Sequence, residues 1–158
     1  MSIENFLNDF DNQNDKLKAD KEKKELELKL KIESQENFIK TYKTYFEQVL
    51  KNQLESIANK LSEKFSYQII EPADFQGNNC LTELILESKF DHHIKIVKIN
   101  FTTEGDRKLI SLGANTEANH GKILGERHHS FQGNLDAFEK LNLEDEISKI
   151  LNKIFIRK

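Results

Sequence analysis

Five imidazoles fall within 38 residues of this chain: His92, His93, His120, His128 and His129. Neutral imidazole ligates zinc, copper, iron and nickel, so such a group is the first place to look for metal chemistry. Placement decides whether they can act together. The runs around them, "CLTELILES", "HIKIVKINFT", "KLISLGA" and "KILGERHHSF", read as successive strands. Paired as hairpins, they gather His92, His93 and His120 at one end of a sheet and His128 and His129 at the other. Eight residues at about 3.3 Å each put those ends roughly 25 Å apart. Neighbouring strand residues also point to opposite faces, so neither His-His pair can easily chelate through both rings. A metal centre is therefore not expected, and the set that could still hold an ion is His120 with His92 or His93. Covalent chemistry has even less to work with. Cys80 has no C-x-x-C partner and reads as a buried small hydrophobe. No G-x-S-x-G elbow occurs, and Gly113, Gly121, Gly125 and Gly133 have neither P-loop nor dinucleotide spacing. No cofactor is expected.

One further stretch carries chemistry-bearing residues. "EPADFQGNNCLTELILESK" sets Asp74 after a turn, then ends an apolar strand in Glu87-Ser88-Lys89. This resembles the metal-dependent PD-(D/E)xK nucleases, which place an Asp and an E-x-K around a strand pair. The resemblance rests on three positions; Pro72 and Asp74 are not adjacent, and a strand follows where the family has a helix. It implies that Asp74 and Glu87 bind Mg²⁺ and that Lys89 orients or activates the attacking water. A divergent nuclease is thus the alternative reading of the chain.

The elements that must position these residues follow from periodicity. Ile3, Phe6, Leu7 and Phe10 recur at i, i+3, i+4 and i+7, one face of a short helix with Ser2 as its cap. The polar "DNQND" after it reads as a tether, so residues 1–14 form an amphipathic segment able to dock on a partner. From Asp15 to Phe65 there is neither Pro nor Gly, and Glu precedes Lys by four residues at Glu25–Lys29, Glu27–Lys31, Glu36–Lys40 and Glu47–Lys51. That order favours a helix, each pair adding about 0.2–0.5 kcal/mol. Residues 15–65 therefore read as one long helix, although "KKELELKLKIES" alternates like a strand. Leu28, Ile32, Gln35, Ile39, Tyr42, Phe46 and Val49 are spaced alternately four and three apart, a coiled-coil seam facing a second helix. Leu50, Leu54, Ile57, Leu61 and Phe65 lie on a displaced face that would cover the protein's own sheet. Residues 66–158 hold the strands, with a bulge expected near Ile96 and Val97, and a last helix capped by Asn142. The fold class is α+β: a long N-terminal helix of coiled-coil type, an antiparallel sheet of four to five strands, and a C-terminal helix packed on the sheet.

Composition bounds the partners. Between Asp15 and Phe65 there are 12 basic and 10 acidic side chains, and the formal net charge of the chain is −3. That balance argues against nucleic acid or an anionic membrane as partner. Apolar runs are short, so no membrane span is expected. The opening "MSIENFLNDF" lacks a basic n-region, so no secretory signal is expected either. A single cysteine fits a reducing, cytoplasmic setting. The sequence thus reads as a non-enzymatic adaptor or chaperone-like protein. It would self-associate as a homodimer or higher oligomer through its long helix, and present an α+β head to a partner protein.

Overall fold

A computed structural model describes residues 2–90, 93–118 and 123–156, with the backbone alone for residues 123–126. The chain divides into two compact units, Met1–Gln35 and Glu36–Lys158. Helix α1 spans Ile3–Tyr45, a π turn spans Phe46–Leu50, and helix α2 spans Lys51–Leu61. Strands β1 (Phe65–Phe75), β2 (Asn79–Ser88), β3 (Ile94–Glu104), β4 (Leu109–Ala118) and β5 (Ile123–Gly133) follow. Helices α3 (Leu135–Glu139) and α4 (Leu143–Phe155) complete the chain. The class is α+β, with a long N-terminal helix, a five-stranded antiparallel sheet and a C-terminal helix.

Within the first unit, the tether expected at "DNQND" is helical and continuous with what precedes and follows it. Asn and Asp have modest helix propensity, but with neither Pro nor Gly nearby their cost is a few tenths of a kcal/mol each, too little to break the helix. Ser2 Oγ accepts the Asn5 amide at 3.2 Å, capping the start as expected.

The second unit is built on a meander, strand order β1-β2-β3-β4-β5. Alternation sends Thr82, Leu84 and Leu86 of β2, Val97, Ile99 and Phe101 of β3, and Ile110, Leu112 and Ala114 of β4 to one face. Covering that face are Ile39, Tyr42, Phe46, Leu50, Leu54 and Ile57 from the helical segment, with Ile147, Ile150 and Ile154 from α4. Each large side chain fully buried in this way contributes roughly 1.5–3 kcal/mol.

This corrects the assignment of the helix's two apolar faces. Ile39, Tyr42 and Phe46 were expected on a seam for another chain, yet they pack with Leu50, Leu54 and Ile57 in one core. The π turn is the reason. It widens one turn of the helix, so residues four apart on either side of it return to one face instead of drifting. Phe65, expected at the helix end, opens β1 instead, because the helix stops at Leu61.

Pro72 lies within β1, where the register shifts between Ile70 and Ala73. β1 is an edge strand, so the missing N–H of proline costs no ladder bond in the sheet interior. The β1–β2 turn is made at Gly77, whose φ of 71° only glycine adopts without strain. The bulge expected in β3 is present as a register shift between Ile94 and Ile96, one residue earlier than the apolar phase suggested. Helix α4 starts as anticipated: Asn142 Oδ1 accepts the Asp145 amide at 3.1 Å, with Glu144, Asp145 and Glu146 in the first turn. Helix α3, capped by Asn134, was not foreseen. It places the buried Phe138 about 6.0 Å from the rings of Tyr45, Phe101 and Phe131.

Candidate interaction surfaces

The nuclease-like residues are not brought together. Asp74 pairs in register with Cys80, whereas Glu87 pairs with Ser66 and Ile96. Seven residues of β2 separate those positions, about 23 Å at roughly 3.3 Å per residue. An odd separation also places the two carboxylates on opposite faces of the sheet. Each is engaged elsewhere: Asp74 with Lys43 at 2.8 Å, Glu87 with Lys95 at 3.9 Å. Lys89 Nζ donates to the Ser62 carbonyl at 2.6 Å. The geometry implied by the nuclease resemblance is therefore absent, for a topological reason: a hairpin holds the ends of one strand apart.

His92 and His120 lie outside the described residues. His93 is exposed in the loop before β3. Among the described residues no group of three His, Cys, Asp or Glu side chains stands close enough to hold an ion. Also among the described residues, no helix is long and apolar enough to cross a membrane.

Two surfaces remain that could recognise another molecule. The first is the helical unit itself. Nine large apolar side chains between Ile3 and Ile32 are 40–78% exposed, among them the expected docking residues Ile3, Phe6, Leu7 and Phe10. The rings of Phe6 and Phe10 stack at 5.9 Å. At 3.6 residues per turn Ile3, Phe6, Leu7, Phe10, Leu17, Leu28 and Ile32 share one stripe, and Leu26 and Leu30 stand on the other side. Of the expected seam, Leu28 and Ile32 are thus solvent-facing and Gln35 is half-buried, while Ile39, Tyr42 and Phe46 are consumed by the core. Val49 is exposed within the π turn.

The second surface is the sheet face opposite the one that the second unit's helices cover. The registers align its side chains in rows: Glu83, Asn100, Gly113 and His129 in one, Ile85, Lys98, Asn115 and Arg127 in the next. A groove of about 660 Å³ runs over these rows, with Phe75 at its β1 side. Gly113 deepens it; a Cβ there would stand 2.7 Å from the His128 carbonyl oxygen, so β5 approaches β4 too closely for any side chain. Lys98 pairs with Glu117 at 3.1 Å. The groove offers charged and hydrogen-bonding groups of both signs, among them Glu83, Lys98, Asn100, Asn115 and Arg127. Motif search missed these residues, although their signal is plain in the strands: Lys98-x-Asn100-x-Thr102 and Ser111-x-Gly113-x-Asn115 are the polar phase of the alternation. No protein-family model, curated protein or solved structure matches this chain.

Proposed function

We propose that the protein is a non-enzymatic assembly factor that self-associates through residues 3–32 and offers the open face of its sheet to a partner protein. The observation that carries this is the apolar stripe of the helical unit, solvated along its whole length. Six of the seven stripe residues, Ile3, Leu7, Phe10, Leu17, Leu28 and Ile32, half-buried in a two-helix seam, would gain on the order of 10 kcal/mol per dimer at about 1.5–3 kcal/mol for each full burial. That gain is comparable with the association cost of about 4–15 kcal/mol, so dimerisation is expected to depend on concentration. The mixed polar groove is the surface of the second unit best suited to a folded partner, since interface rims are polar and hydrogen-bonded.

Light scattering at micromolar concentration tests the proposal. The expected mass is at least twice the 18.5 kDa of the chain. Leu7→Asp combined with Leu28→Asp should give the single-chain mass while leaving the thermal unfolding of the sheet unit unchanged. A parent protein that stays a monomer throughout that range overturns self-association.

A further inference from the structure

The exposed stripe has an internal symmetry that selects how a second copy would lie on it. We infer that two copies of residues 3–32 pair antiparallel about Leu17, an inference that rests on the self-association proposed above. Positions 3, 7, 10, 14, 17, 21, 24 and 28 on this face step alternately four and three residues, with polar side chains at Asn14, Lys21 and Lys24, and a final step of four leads to Ile32. Folded back on Leu17, this spacing sets Ile3 opposite Ile32 and Leu7 opposite Leu28. Further in, it sets Phe10 opposite Lys24 and Asn14 opposite Lys21, with Leu17 meeting its own copy. The two directions stay in step within one residue, about 1.5 Å of helix rise. Apolar layers therefore meet apolar layers at both ends. The Lys24 stem can lie along the Phe10 ring, with its ammonium free to reach the ring face or water.

Parallel pairing gives a different result. It would stack Lys21 on Lys21 and Lys24 on Lys24 in consecutive layers, burying like charges that antiparallel pairing separates. Net charge points the same way. Residues 2–15 carry four acidic and no basic side chains, a charge of −4; residues 16–32 carry seven lysines and four acidic side chains, a charge of +3. Antiparallel helices place the acidic half of each copy beside the basic half of the other, twice by symmetry, whereas parallel helices set like against like.

Mild oxidation of full-length chains with single added thiols tests this, because native Cys80 is fully buried and does not compete. A mixture of Ile3→Cys and Ile32→Cys chains should form a covalent dimer that neither chain forms alone. Leu17→Cys should cross-link by itself in either orientation and so reports whether the helices pair at all. Self-linked dimers of Ile3→Cys or of Ile32→Cys alone would overturn the antiparallel arrangement. A Leu17→Cys dimer without any link in the Ile3→Cys and Ile32→Cys mixture would overturn the register. Failure of Leu17→Cys to link, together with a monomer mass, would overturn the self-association on which both depend.

Discussion

The hydroxyl of Tyr42, on helix α1, lies 2.6 Å from Thr82 Oγ1 on β2, both fully buried and 40 residues apart in the chain. It is a polar tie inside the apolar layer between helix and sheet. Burial pushes the Tyr42 phenol well above its ordinary value of 10.0, and the Thr82 contact only partly offsets that.

Tyr42→Phe should therefore destabilise the protein by about 1–3 kcal/mol, chiefly because the Thr82 hydroxyl would be left buried without this partner. Adding Thr82→Val should recover most of the loss, since removing both polar groups is nearly neutral. Urea unfolding of the two single variants and the double variant measures this as a thermodynamic cycle. Additive losses would show that the two hydroxyls do not act as a pair.

A second tie is sensitive to pH. Ser130 on β5 donates a hydrogen bond to the Glu146 carboxylate on α4, and Lys149 stands 3.4 Å from the same group. The Ser130 bond, with help from Lys149, holds the Glu146 pKa below its ordinary value. A lowered carboxylate pKa stabilises the fold above the unfolded-state value and loses that contribution as pH falls through the folded-state value. Ser130→Ala should thus cost about 0.5–1.5 kcal/mol at neutral pH, with the cost shrinking as pH falls below the ordinary carboxylate range and Glu146 protonates. Unfolding free energies at neutral and acidic pH would decide it. A penalty independent of pH would mean that the bond does not depend on the charge.

The division into two units predicts an asymmetric response to truncation. Removing residues 1–35 takes away no buried core residue, so the remainder should unfold cooperatively. Removing residues 1–45 deletes Ile39 and Tyr42 and should prevent folding, because it opens a cavity larger than two side chains. Cys80 provides the readout. Burial, reinforced by Asp74 and opposed by Lys43, pushes its thiol up to about 11. Iodoacetamide at pH 8 should leave Cys80 unmodified in the parent and in the shorter truncation, and label it in the longer one. Rapid labelling in the shorter truncation would place the first unit within the core.

The sequence alone determined the types of the long elements. Glu-to-Lys spacing identified the long helix despite its strand-like alternation, because charge order along a helix is a local interaction. Period-two alternation located the strands, and Asn142 with three acids after it marked the start of α4. What it could not determine was which apolar residues meet. Ile39, Tyr42 and Phe46 satisfy a heptad as well as they satisfy a sheet, and only the π turn at Phe46–Leu50 shows that they join Leu50 and Leu54 on one face. Helix α3 is too short to show a period, and its place is held by the packing of Phe138 among three other aromatic rings. Asp74 and Glu87 looked like partners because they flank one strand. Tertiary structure alone decides that flanking is the opposite of meeting, since an extended strand keeps its ends apart. The polar groove exists only once four strands stand in register, because its rows join residues that are ten to twenty positions apart in the chain and share no local interaction.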